Sequence, residues 1–153
     1  MLRFALIALV LVAVGLALFS EMTRAEVEQR YPPRGAFVAV EGGRLHYRER
    51  GPDGQSRGTV VLVHGASSNH ADLLATLGPE LSHYRVVAID RPGHGWSERL
   101  AGRAMADPGR QAQALMQGLD QIVPERFALV AHSLGGAASA RIALERPERL
   151  SGL

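Results

Sequence analysis

The sequence has no cysteine among its 153 residues. Disulfide frameworks, thiolate metal sites and cysteine nucleophiles are therefore excluded together. It also has no lysine: all 17 basic residues are arginine, set against 15 acidic ones, for a net charge of +2. The arginines alternate with acids, as in Arg44-Leu45-His46-Tyr47-Arg48-Glu49-Arg50 and Glu145-Arg146-Pro147-Glu148-Arg149. That mixture is a solvated surface and not a concentrated positive field, so nucleic acid is not an expected partner. Internal repeats and low-complexity tracts are missing. So are a GxGxxG loop and a metal-ligand cluster at recognisable spacing, so no cofactor is implied. With 46% hydrophobic and 21% charged residues, usage is close to that of ordinary globular proteins. Wholesale disorder and fibrous repeats are excluded, and the length suits about one domain.

What is present begins with an uninterrupted apolar run. From Phe4 to Phe19 all 16 residues are apolar or glycine, preceded by Arg3 and closed by Ser20-Glu21. A spanning helix wants about 20 such residues and a signal-peptide core about 7–15, so this run falls between the two. Cleavage signals are poor: the nearest small-x-small pattern is Thr23-Arg24-Ala25, with an arginine inside it. Arg3 and the α-amine bias the N-terminus toward the cytoplasm and the remainder to the other side. Residues 1–20 are therefore read as a transmembrane or signal-anchor helix, with the domain extracytoplasmic. A signal peptide cleaved to release a secreted or periplasmic domain, and a buried core helix, are the alternatives. Residues 21–35 are polar, end in Pro-Pro-Arg-Gly and read as a juxtamembrane linker with room for one helical turn.

Residues 36–153 alternate strand and helix signals. Ala36–Val40 and Leu45–Arg48 flank a Gly-Gly turn and predict a hairpin. Three continuous apolar runs, TVVLV at 59–63, RVVAI at 85–89 and FALVA at 127–131, predict strands buried on both faces. Between them lie helical spacings over 72–81, a helix opened by Asp107-Pro108 with an inner face of Ala112, Leu115, Leu119 and Ile122, and an alanine-rich helix over 135–145. This order predicts an α/β fold with a mostly parallel sheet flanked by helices.

The candidate chemistry follows the strands. Ala131-His132-Ser133-Leu134-Gly135-Gly136 joins the third apolar strand to a helix. A nucleophile standing on so sharp a turn needs small residues two positions before and after it, and Ala131 and Gly135 meet that need. Read alone, Ser133 has the helix N-cap as its alternative reading. After the first apolar strand comes His64-Gly65-Ala66-Ser67-Ser68. In nucleophile-elbow enzymes the loop here supplies one oxyanion N–H and the residue after the serine supplies the other. The candidates are the backbone amides of Ala66 and Leu134, with Ser67 N–H as a substitute for the former. His64 is read as a structural residue that hydrogen-bonds its own loop. After the second strand comes Asp90-Arg91-Pro92-Gly93-His94-Gly95-Trp96-Ser97, a tight turn in which Asp90 anchors loop amides, with a catalytic-acid role as the alternative.

Together, in this order, the three motifs resemble the α/β-hydrolase superfamily, in its serine-nucleophile branch with the pattern HG…DxxGxGxS…[GA]HSxGG. The resemblance covers 36–153 and implies an eight-stranded mostly parallel sheet, a Ser–His–acid triad and hydrolysis of an ester, lactone, amide or related bond in a small acyl substrate. It makes Ser133 the catalytic nucleophile and Ala66 and Leu134 the oxyanion hole. A serine here, where the haloalkane dehalogenase and epoxide hydrolase branches carry aspartate, argues against those two.

One departure matters. The family's triad runs serine, acid, histidine, yet no histidine and no aspartate follow Ser133. All six histidines (His46, His64, His70, His83, His94, His132) lie at or before position 132. His132 is adjacent, but the elbow aims successive side chains apart. The chain is thus expected to be the N-terminal half of an α/β-hydrolase fold, truncated before the triad acid, the histidine and the lid. A non-catalytic binding module and an inactive gene fragment are the alternatives.

Overall fold

The computed structural model describes residues 2–52 and 54–153. Met1, whose α-amine enters the expected orientation of the N-terminus, lies outside the described residues. The chain forms two units, one up to Arg34 and one from Gly35 to Leu153.

The first unit is a single helix, α1 (Leu2–Arg30), long and apolar enough to cross a membrane. Its apolar side chains from Phe4 to Phe19 are exposed. The segment 21–35, read from the sequence as a linker, is helical as far as Arg30. The residues of 21–30 are good helix formers, and Arg24 pairs with Glu28 one turn on at 2.7 Å. Nothing breaks the ladder until Pro32-Pro33, which lack the N–H groups a helix needs.

The second unit is a six-stranded sheet in the order β1-β2-β4-β3-β5-β6. Its strands are β1 (Ala36–Val40), β2 (Gly43–Arg50), β3 (Thr59–Val63), β4 (Arg85–Ile89), β5 (Phe127–Ala131) and β6 (Leu150–Gly152). The β1–β2 and β2–β4 pairs are antiparallel, and β4–β3, β3–β5 and β5–β6 are parallel. The three-residue β6 pairs with the start of β5, at Phe127 and Ala128.

Alternation along the central strands fills two cores. Val61, Val63, Val87, Ile89, Phe127 and Leu129 face the larger one, closed by α3 (Pro108–Ile122) and α4 (Leu134–Glu145). Val60, Leu62, Val86 and Ala88 face the other way and meet Leu73, Leu74 and Leu77 of α2 (His70–Leu77). This is why the strands read as continuous apolar runs. Helices on both faces bury β3 and nearly all of β4, but β5 departs from the expected two-faced burial: Phe127 and Leu129 are buried while Val130 on the opposite face is exposed.

Two helices carry clear start signals. Asn69 caps α2 by accepting the Ala71 N–H at 2.9 Å, and Asp107 caps α3 by accepting the Arg110 N–H at 2.9 Å, with Pro108 in the first turn. The helical spacing over 72–81 gives a helix that starts two residues earlier and stops at Leu77. Pro79 interrupts the ladder, and the chain continues as a turn in which the Leu81 N–H still reaches the Leu77 carbonyl at 3.1 Å. Along α3, Ala112, Leu115 and Leu119 are fully buried as the spacing predicts, while Ile122 is half-buried.

Leu119 lies in the middle of the larger core with no accessible surface. Replacement Leu119→Ala should cost about 3 kcal/mol by lost transfer energy and cavity formation. The urea midpoint of the full-length protein in detergent measures it.

Candidate active site

The sheet register lines up three strand ends. Val63 of β3 pairs with Ile89 of β4 on one side and with Ala131 of β5 on the other. The residues that follow, His64, Asp90 and His132, therefore leave the sheet along one edge. The carboxyl ends of parallel strands are where open α/β sheets place their chemistry.

Ser133 stands between β5 and α4 with φ 50° and ψ −122°. Positive φ is costly for a residue with a side chain and persists where the surroundings impose it. Two hydrogen bonds fasten the turn behind it: Gly135 N–H to the His132 carbonyl at 3.0 Å and Gly136 N–H to the Ser133 carbonyl at 2.8 Å. The hydroxyl makes no capping bond to α4, so the N-cap reading of this serine does not hold. Ser133 is exposed and sits at the positive end of the helix dipole.

Close packing against β3 holds the elbow. A Cβ on Gly135 would lie 2.4 Å from the His64 carbonyl oxygen and 2.7 Å from that of Val63. Only glycine lets the first turn of α4 rest on the end of β3. The loop 64–66 approaches from the other side, where a Cβ on Gly65 would lie 2.8 Å from His132 Nδ1 and 3.2 Å from Ser133 Cβ. The structure thus brings the HG loop and the elbow serine side by side. Among the described residues, neither the Ala66 N–H nor the Leu134 N–H has a protein acceptor.

His64 is fully buried and does not face the serine. Its Nδ1 donates to the Gly65 carbonyl at 2.8 Å, while its Nε2 accepts the Arg91 N–H at 3.0 Å. The ring is therefore neutral, with the proton on Nδ1. Burial lowers its pKa to about 4, the Arg91 charge adding in the same direction and the bond to Gly65 opposing.

Asp90 is equally buried and serves as a hub. Its carboxylate accepts the His46 ring at 2.9 Å, the His70 ring at 3.0 Å, the His70 N–H at 2.6 Å and the Trp96 N–H at 3.1 Å. A carboxylate can only accept, so both rings carry their proton on Nδ1. Burial alone would raise the Asp90 pKa. The hydrogen bonds from the His46 ring, the His70 ring and the His70 backbone outweigh it and hold the carboxyl well below the usual range. With both oxygens engaged and no exposed surface, Asp90 anchors the turn 90–97 and has no face to offer a distant base. The ligand atoms of His46, His70 and Asp90 lie within 4.8 Å of one another. Hydrogen bonds from the Nδ1 atoms of both rings to the Asp90 carboxylate join the three.

Sequence reading located Ser133, Ala66, Leu134, His64 and Asp90. It missed His46 and His70, which come from β2 and α2, and gave Arg91 no role. Arg91 is wholly buried and bonds to the His64 carbonyl (Nε, 3.0 Å), the Gly65 carbonyl (Nη2, 2.9 Å) and Gln111 Oε1 (Nη1, 2.7 Å). Its place in the tight turn that follows a buried strand was the available signal.

The chain belongs to the α/β-hydrolase-fold family, whose sequence model matches residues 58–153. It is 35% identical over 115 residues to the dihydrolipoyllysine-residue acetyltransferase component of the acetoin cleaving system of Cupriavidus necator, covering 74% of this chain and 29% of that protein. A 2-hydroxy-6-oxononadienedioate/2-hydroxy-6-oxononatrienedioate hydrolase of Paraburkholderia phymatum is 32% identical over 126 residues, with 74% of this chain and 41% of that one covered. Among solved structures, epoxide hydrolase A of Mycobacterium thermoresistibile superposes with a TM-score of 0.66 at 31% identity, over 78% of this chain and 38% of its own. The chain spans less than half the length of each of these three.

Acid should loosen this network in two stages. An unfolded imidazole takes up its proton near pH 6.5, whereas folded His64 does so only at about 4. Between those values the unfolded state binds more protons, so stability rises with pH there and falls on acidification, by on the order of 3 kcal/mol in full. Below about pH 4 the loss of the Asp90 carboxylate adds to the decline. Urea midpoints measured from pH 7.5 to 3.5 should show this slope, and His64→Gln should flatten its upper part.

Proposed function

We propose that the domain is a serine hydrolase acting on an ester, lactone, amide or related bond of a small acyl substrate. The observation that carries this reading is the positive φ of Ser133 between a buried strand and a helix, its hydroxyl free of any capping bond. In the proposed reaction Ser133 Oγ attacks the substrate carbonyl as its proton passes to a histidine base. The carbonyl oxygen takes up the displaced electron pair and becomes the oxyanion, held by the Ala66 and Leu134 N–H groups. The leaving group then departs with a proton from the base. Water attacks the acyl-enzyme by the same route and frees Ser133.

Neither buried candidate in this chain is assigned as the base or its orienting acid: Asp90 is saturated by hydrogen bonds and His64 is fixed in its own loop. Without a base the serine hydroxyl is a weak nucleophile, and only the residual catalysis of the oxyanion hole and binding would remain. Opening an epoxide through a covalent alkyl-enzyme calls for a carboxylate at the elbow, so a serine there favours acyl chemistry. We place α1 in a membrane as an uncleaved anchor, with the domain on the extracytoplasmic side.

A fluorophosphonate probe should label the full-length protein at Ser133, and Ser133→Ala should abolish the label. An unlabelled wild-type protein that folds cooperatively would instead favour the non-catalytic binding module. Anchoring has its own check. After an alkaline carbonate wash the protein should stay in the membrane pellet with an intact mass that includes residues 1–25; release with a mass lacking them would mean a cleaved signal.

A further inference from the structure

Arg91 has no accessible surface, and its guanidinium touches no carboxylate among the described residues. Its partners are neutral: the carbonyls of His64 and Gly65, the side-chain oxygen of Gln111 at 2.7 Å, and His94 Nε2 at 3.3 Å. Gln111 is itself held by donating to the Met105 carbonyl at 2.7 Å. Burying a charge without a counter-ion is unfavourable, and an apolar side chain of similar volume is easier to accommodate. The guanidinium fork instead matches two successive backbone carbonyls, those of the loop beside Ser133.

The consequence lies in peptide geometry. Gly65 and Ala66 share a trans peptide bond, in which the C=O and N–H point in opposite directions. The Gly65 carbonyl is held on the buried side by Arg91 Nη2 at 2.9 Å and by His64 Nδ1 at 2.8 Å. The Ala66 N–H must therefore project to the exposed side, where it has no protein acceptor among the described residues. Rotation of that peptide would replace the donor by a carbonyl and turn the dipole against a developing negative charge. Hydrogen bonding to a cation also polarises the amide and strengthens its N–H as a donor.

We propose that Arg91 is a positioning residue for transition-state stabilisation: by clamping the His64 and Gly65 carbonyls it aims the Ala66 N–H at the oxyanion formed over Ser133. This rests on the serine-hydrolase reading above. Arg91 touches no substrate atom and acts through the loop alone.

The test uses the full-length protein in detergent, with p-nitrophenyl acetate as substrate and a fluorophosphonate as active-serine probe. Arg91→Met removes the clamp, and Arg91→Lys keeps a charge but loses the rigid planar fork that spans the two carbonyls and Gln111. Each should lower kcat and the labelling rate by about tenfold or more, with KM within about twofold, since the loss falls on a transition-state interaction. If neither variant folds, Gln111→Leu frees one end of the guanidinium, and kcat should fall several-fold at unchanged KM. A folded variant whose kcat and labelling rate match wild type overturns the proposal, and so does a change confined to the unfolding midpoint. Failure of the wild-type protein to label or turn over overturns the serine-hydrolase reading along with it, so the two failures are told apart.

Discussion

The candidate site depends on one constraint, the common end point of three parallel strands. Because Val63, Ile89 and Ala131 share one row of the sheet, the HG loop, the Asp90 turn and the serine elbow all begin at the same height. A slip of one residue in β3 would reverse which side chains face each core and would also displace His64 against the elbow. Register is therefore held from both sides of the sheet. Val61 and Val63 pack under α3 and α4, and Val60 and Leu62 pack against α2.

From that row outward, rigidity is passed through polar groups buried beneath the exposed ones. Asp90 gathers β2, α2 and its own turn through the His46 ring, the His70 ring and two backbone amides. His64 joins its own loop to the start of the Asp90 turn by accepting the Arg91 N–H. Glycine then permits two close approaches: at position 135 a Cβ would strike the backbone of β3, and at position 65 it would press on the His132 side chain. The strain in Ser133 is sustained because every segment around it is tied elsewhere. Such a layer beneath a site is what holds reactive groups within the small tolerances that catalysis needs.

Much of this was legible in the chain. The three continuous apolar runs marked the central strands at their observed limits, though only β3 and β4 are buried on both faces and β5 leaves Val130 exposed. Asp107-Pro108 marked the start of α3 by cap chemistry that is local in sequence. The elbow was legible because strand, small residue, serine and glycine fall within six positions. Less legible were the ends of α1 and α2. Residues 21–30 are polar enough to read as linker and also good enough helix formers to continue α1. Leu81 keeps helical spacing past a proline that ends the regular ladder.

By itself the sequence determined the fold class, the order of elements and the three loops on which chemistry could stand, because each rests on periodicity or on contacts between near neighbours. Only the tertiary structure decided what the buried polar residues do. His46, His70 and Asp90 are separated by up to 44 positions, and Arg91 meets its carbonyl partners across 26 and 27. Hydrogen bonds over such distances come from strand pairing and crossover geometry, which no local pattern encodes. The same geometry turned Ser133 from a possible helix cap into a strained, exposed hydroxyl, since its backbone angles are imposed by β3 and the HG loop and not by its immediate neighbours.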